Sequence, residues 1–253
     1  MLTELCAKQK IMLPNVSLIS ICFIIITLIT VWFLYEATHQ SKTYLFIVIA
    51  WLVLQAALGL SNYYFVLKTA PPRFAFLVIP PLLLIAIMFS TRKGKKFIDN
   101  IDLKIVTLLH TIRIAVEVIL LNLYINKFVP QLMTFEGRNL DIISGITAPF
   151  VYYFVFVKQK LGRNFLLIWN FICLALLLNI VVNAMLSIPS LFQKFGYEQP
   201  NVAVLYFPFV WLPCCVVPIV LFSHLVAIKQ LLNKNKLKNI LHERVINTKH
   251  KVK

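Results

Sequence analysis

The run "LLHTIRIAVEVILLNLY" at positions 108–124 is almost wholly apolar, yet it carries His110, Arg113 and Glu117. These are side chains that handle protons and ions: an imidazole with two ring nitrogens, a carboxyl that can take up a proton, and a permanently charged guanidinium that can anchor an anion. On a helix turning about 100° per residue the three fall within about 60° of one another, and Tyr124 extends the same stripe. Arg113 and Glu117 are four apart and can pair, although the acid-before-base order would suit the helix dipole better. Near the centre of a bilayer an arginine and a carboxylate cost about 5 to 7 kcal/mol together on the insertion scale. Such a pair has to face other helices or a water-filled cavity.

Other polar groups within apolar runs could meet that stripe. Gln55 and Asn62 share one helical face with Gly59 between them, and Asn179, Asn183 and Ser187 share another. They are candidate ligand- or ion-binding positions, but such side chains also hold helices together, at about 0.6 kcal/mol each, and that packing role is the expected one. His224, late in the last apolar run, stands at roughly the height of His110, so a b-type haem held by His110 and His224 is a minor alternative. Otherwise the sequence calls for no cofactor and no metal. Pro208, Pro213 and Pro218 predict a bent last helix, repaired by its neighbours or used as a gate. Glu136, Arg138, Asp141, Lys194 and Glu198 gather in two outer segments, where Asn139 and Asn201 read as helix N-caps.

The elements that must position these groups follow from composition. Of 253 residues 60% are hydrophobic and 13% charged, and the mean hydropathy is +0.84. Soluble domains carry roughly 25% charge. An all-α integral membrane bundle is therefore expected, with no separate globular catalytic domain. Seven runs are long enough to span, at about 13–35, 44–67, 73–90, 103–128, 140–157, 164–186 and 203–228, forming a domain 1–228 before a basic tail 229–253. The first is too long for the apolar core of a signal peptide and is expected to be retained. The fifth is short and interrupted by Gly145 and Pro149, which leaves a re-entrant segment as its alternative.

Charge distribution favours seven spans with the N-terminus outside and the C-terminus inside. That arrangement puts Lys42, the "RKGKK" cluster, Lys158, Lys160, Arg163 and the lysine-rich tail on the cytoplasmic side. Lys8, Lys10, Lys68, Arg73, Lys127, Arg138 and Lys194 fall outside, and Lys8 and Lys10, ahead of the first run, are the local signal that pulls the other way. The net charge of +16 is thus explained by topology, and a nucleic-acid partner is not expected. The partners expected are the bilayer itself and anionic lipid at the tail, where Leu231, Leu232, Leu237, Ile240 and Leu241 recur among lysines; a homo-oligomer or a membrane partner is left open. Five cysteines, Cys6, Cys22, Cys173, Cys214 and Cys215, show no C-x-x-C spacing and imply neither a disulfide framework nor a zinc site.

The stretches "MTFEGRNLDIISGITAPF" and "NIVVNAMLSIPSLFQKFGYEQPNVAVLYFPFVWLP" resemble an uncharacterised group of multi-spanning membrane proteins from bacteria of the Bacteroidota type. The resemblance implies a bacterial inner-membrane location and carries no functional residue with it. Retinal proteins are excluded because the last run has no lysine in its middle for a Schiff base. No H-x-x-x-H or H-E-x-x-H occurs for an intramembrane zinc hydrolase. Ser144 in "ISGIT" lacks a paired histidine for a serine protease. The expectation is a small transport or ligand-binding bundle with Glu117 as its proton- or cation-responsive group, Arg113 as counter-charge or anion anchor and His110 as relay. A non-catalytic scaffold or assembly subunit is the alternative.

Overall fold

Apolar runs of this length leave the backbone one economical choice, since a helix satisfies its own N–H and C=O groups within the segment. The computed structural model describes residues 15–66 and 72–233, which are helical throughout apart from their connections, with no strand among them. In chain order the helices are α1 (Asn15–Ala37), α2 (Lys42–Leu60), α3 (Ala75–Ser90), α4 (Arg92–Asn100), α5 (Leu103–Leu109), α6 (Ile112–Ile125), α7 (Ile142–Tyr152), α8 (Arg163–Leu186) and α9 (Val217–Leu232). Wider, π-type turns extend α7 over Tyr153–Val157 and precede α9 over Leu212–Val216.

Each of the seven expected runs contains a helix, but several boundaries move. The second stops at Leu60, because Asn62 takes a left-handed conformation (φ 58°) that asparagine tolerates better than most residues. Ser61 thus closes the helix and Asn62 is exposed, off the face shared by Gln55 and Gly59. The third helix turns through 93° into α4, so "RKGKK" is the start of a helix and not a loop. A Cβ on Gly94 would lie 2.2 Å from the Met88 carbonyl oxygen, so this bend requires glycine.

The fourth run is interrupted at His110 and Thr111. There Thr111, Arg113 and Ile114 donate to carbonyls only three residues back, a tightened turn between α5 and α6. The last run is not helical from 203: a short 3₁₀ turn over Ala203–Leu205 and a further turn holding Pro208 precede it. Of its three prolines only Pro213 and Pro218 lie in helical structure, and the helix runs on to Leu232, past the expected end of the bundle. The interfacial-helix expectation for the tail beyond that point lies outside the described residues.

Five helical stretches are long and apolar enough to cross a membrane: Leu18–Ala37, Lys42–Leu60, Leu103–Ile125, Arg163–Leu186 and Leu212–Leu232. The bent pair α3–α4 makes a sixth if taken as one span, and the apolar Ile142–Val157 segment is shorter than the rest. α9 is the centre of the assembly, packing on α3, α4, α5 and α8, while α1 lies along α5 and α6. Polarity is distributed the opposite way from a soluble domain. Leu18, Trp32, Phe46, Leu60, Leu83 and Ile168 face outward at more than half exposure, whereas Gln55, His110, Arg113, Glu117, Asn170 and His224 are buried.

Candidate functional site

Arg113 is the hub of the buried polar groups, and its partners come from three other parts of the chain. Its Nε donates to Asp141 Oδ2 at 2.5 Å, and Nη2 pairs with the other oxygen of the same carboxylate. Nη1 lies 3.0 Å from His224 Nε2, and Nη2 also donates to the Cys173 carbonyl at 3.3 Å. One guanidinium therefore ties α6 to the N-terminus of α7, to α8 and to α9. A planar fork of five donors is suited to such a task, and the two-point contact with a carboxylate is its strongest form.

The pairing of Arg113 with Glu117 expected from their spacing is not what forms. Asp141 takes the guanidinium, because α7 starts low in the bundle and Gly145 packs against the backbone at Arg113 and Ile114. A Cβ at Gly145 would sit 2.8 Å from the Ile114 nitrogen and 3.3 Å from the Arg113 Cβ. Asp141, one turn before Gly145 on a helix running the other way, then falls within reach of the arginine. Its carboxylate also lies at the positive end of α7. Asp141, expected among the charged residues of an outer segment, belongs to this centre.

Glu117 is held separately. Asn139 Nδ2 donates to Glu117 Oε1 at 2.5 Å and to the Met133 carbonyl at 3.0 Å, while Asn139 Oδ1 accepts from the Asp141 N–H at 3.0 Å. Asn139 thus links the Glu117 carboxylate to the Asp141 backbone and is not the N-cap of α7, a position taken by Asp141. The second oxygen of Glu117 is buried with no hydrogen-bond partner. Its carboxyl is the least satisfied acid of the centre.

The two histidines meet, though not as haem ligands. Their rings stack with centroids 3.9 Å apart and planes 14° from parallel, which leaves no room for a macrocycle between them. Both nitrogens of His224 are engaged. Nε2 accepts from Arg113, so Nδ1 carries the hydrogen and donates to Asn170 Oδ1 at 2.9 Å. The orientation of Asn170 agrees, since its Nδ2 donates to the Leu166 carbonyl. This assigns the neutral Nδ1–H tautomer from the hydrogen-bond network. His110 presents its ring to His224 and to the edge of Trp169, and neither of its nitrogens has a partner. Residues placed in this way do not fit a bis-histidine haem. Among the described residues no three of His, Cys, Asp and Glu gather as a metal site.

The remaining candidates are not brought to the hub. Gln55 accepts from the Tyr64 hydroxyl beside α2, and Asn62 stays on the surface. Asn183 donates back to Asn179 of its own helix, Ser187 does the same to Asn183, and Asn179 tethers the segment before α7 through the Arg138 carbonyl at 2.9 Å. Asn201 holds the Ala184 carbonyl near the end of α8 instead of capping a helix start. Sequence reasoning missed Asn139 and Asn170 as hub residues and misplaced Asp141. The available signal was scarcity: few carboxylates border an apolar run, and Asp141 directly precedes the one containing Gly145.

His110, Arg113, Glu117, Asn139, Asp141, Asn170 and His224 all lie within residues 71–232, which match the family model described as Domain of unknown function (DUF8737). The chain belongs to that family. No curated protein and no solved structure matches it. The DUF8737 match contains the hub entire and leaves α1 and α2 outside.

Proposed function

We propose that this chain is a multi-pass protein of the bacterial inner membrane, with seven spans, the N-terminus outside and the C-terminus in the cytoplasm. It works as a small transport or ion-binding bundle whose proton-binding group is Glu117. The bacterial location rests on the resemblance to Bacteroidota-type membrane proteins. The outward apolar surface and buried polar centre favour a lipid environment, in which a bundle of this kind buries its charges and exposes its leucines. An odd number of spans is supported by the ends of the bundle. The His39 ring after α1 bonds the Asn100 carbonyl at 2.8 Å, and Gln230 near the end of α9 bonds the carbonyls of Ile98 and Ile101. The C-terminal ends of α1 and α9 therefore lie together, beside the C-terminal end of α4.

The observation that carries the role of Glu117 is its unpaired buried oxygen next to a guanidinium already committed to Asp141. With that guanidinium engaged, the carboxyl is free to exchange a proton without dismantling the Arg113 contacts. His110, with both nitrogens unengaged, is the second group able to carry one. The test is purified protein in proteoliposomes under an imposed pH gradient and potassium diffusion potential, read by an internal pH dye. Proton flux is expected from the wild type and is expected to vanish in Glu117→Gln with the protein still monodisperse. Absence of flux at every driving force would remove the transport reading.

A scaffold role has its own supporting observation, the four-way tie made by Arg113. If the tie is the whole purpose of the centre, an apolar replacement of both Arg113 and Asp141 keeps the protein functional in the cell. In the transport reading the same double variant folds and loses activity.

A further inference from the structure

On the opposite side of α9 from the hub lies a cleft of about 770 Å³. Ile219 and Phe222, which line it, are about 140° to 200° around the helix from His224, so hub and cleft use different faces of one helix. Its walls are α2 (Phe46 to Leu54) and α3 (Pro80 to Met88), and its floor is the Leu212–Val216 turn with the start of α9. α2 and α3 each pack against that turn and make little backbone contact with one another. Two aromatic pairs bridge the gap: Tyr44 stacks on Phe97 at 3.9 Å, and Trp51 meets Phe76 at 5.6 Å. The lining is almost entirely apolar, and Lys93, in the first turn of α4, is the one charged residue among its described residues.

We propose that this cleft seats one acyl chain of an anionic phospholipid, with the phosphate held by Lys93 at the start of α4. Dimensions and charge both argue for that occupant. From Tyr44 to Leu54 the wall rises about 15 Å at 1.5 Å per residue, about half the ~30 Å hydrocarbon core. That is the depth of one leaflet, entered from the end where α4 lies. At that end Arg92, Lys93, Lys95 and Lys96 are all exposed and make no ion pair among the described residues, since Lys229 is what pairs with Asp99. The 93° bend enforced by Gly94 turns α4 across the mouth of the cleft, so Lys93 and the positive end of α4 stand where a headgroup would be. Among the described residues the lining offers no carboxylate to repel a phosphate, whereas an uncharged or cationic amphiphile would leave Lys93 unanswered.

The experiment is native mass spectrometry of the full chain released from detergent, titrated with phosphatidylglycerol and phosphatidylcholine carrying the same acyl chains, and with glycerol phosphate as a chain-free competitor. One tightly retained phosphatidylglycerol is expected, with phosphatidylcholine weaker and glycerol phosphate unable to displace it. Lys93→Ala is expected to weaken phosphatidylglycerol about fivefold, while Lys96→Ala on the same helix but outside the cleft has less effect. Ala50→Phe and Leu84→Trp, which fill the cleft from opposite walls at exposed positions, should each abolish retention. Two such variants keep the test alive should one fail to give monodisperse protein. Equal loss from Lys93→Ala and Lys96→Ala would mean diffuse surface attraction, displacement by glycerol phosphate would mean a headgroup site without a chain, and retention in both filling variants would place the lipid elsewhere. Any of these overturns the proposal.

Discussion

The two sides of α9 solve opposite problems. Toward α6, α7 and α8 the helix offers His224 to a centre packed so closely that Arg113 and Asp141 retain 3% and 5% of their exposure. Toward α2 and α3 it offers Pro218 and Phe222 to an open apolar cleft. Pro218 has no N–H to give the Cys214 carbonyl, and Trp51 Nε1 donates to that oxygen at 3.0 Å in its place. A buried charge demands partners in fixed positions, so the hub side is closed. In the membrane reading proposed above, an apolar wall can be completed by lipid, so the other side can stay open. The comparison predicts that substitutions on the hub side are costly and coupled, and that those on the cleft side are mild and local.

The largest effect is expected at the ion pair. Arg113→Leu leaves Asp141 buried without its counter-charge, and Asp141→Leu leaves the guanidinium in the same position, so each single change should destabilise by roughly 3 to 5 kcal/mol. The double variant Arg113→Leu with Asp141→Leu should recover most of that loss. Thermal unfolding in detergent across the four proteins gives the coupling directly. A larger coupling between Arg113 and Glu117 than between Arg113 and Asp141 would reinstate the pairing suggested by sequence spacing and break the hub described above.

Next in size is Gly145→Ala. The new methyl would meet the Ile114 backbone nitrogen at 2.8 Å, a contact no rotamer change relieves. Separating α6 from α7 also lengthens the reach from Arg113 to Asp141. A cost of about 1 to 3 kcal/mol is expected, as for overpacking elsewhere. Unchanged unfolding in Gly145→Ala would show that the two helices do not need this approach.

That glycine marks the limit of what could be read from residues alone. The helical class, the positions of the apolar runs and the burial of His110, Arg113 and Glu117 were legible because each follows from local composition and periodicity. The partner of Arg113 was not, because it depends on how far down the bundle α7 begins. Gly145 and Pro149 were visible only as weaknesses in the fifth run, whereas Gly145 is a contact surface. Asn62 leaves the face of Gln55 at a single left-handed residue, whereas Asn179, Asn183 and Ser187 do share a face but bond their own helix and the Arg138 carbonyl instead of the hub. Spacing shows which side chains share a face; it does not show whether another helix lies opposite.

On the cleft side, Trp51→Phe keeps the ring against Phe76 and removes only the donor to the Cys214 carbonyl. An unanswered carbonyl at the head of α9 should cost about 1 kcal/mol, without disturbing the hub. The measurement that sharpens the comparison is a cycle of Trp51→Phe with Arg113→Leu, whose effects should add within about 0.5 kcal/mol if the two faces of α9 are independent. A larger coupling would mean that the bend at Pro218 transmits strain from one face to the other.

The smallest effect is expected at Asn183, which is 7% exposed and so resembles the hub residues by burial alone. Its amide donates to the Asn179 carbonyl at 2.9 Å and to the Asn179 side chain at 3.2 Å, both within α8. Asn183→Ala therefore breaks no tie between helices, and the Asn179 carbonyl keeps a role in the helix's own hydrogen bonding. The loss should stay at or below the ~0.6 kcal/mol average for polar contacts in membrane bundles. Asn170→Ala is the matched control on the same helix: it removes the acceptor of His224 Nδ1 and leaves a buried N–H unanswered, at about 1 to 3 kcal/mol. If the two alanine variants unfolded alike, burial would be setting the cost. A clear gap between them would show that it is set by whether the hydrogen bond crosses from one helix to another.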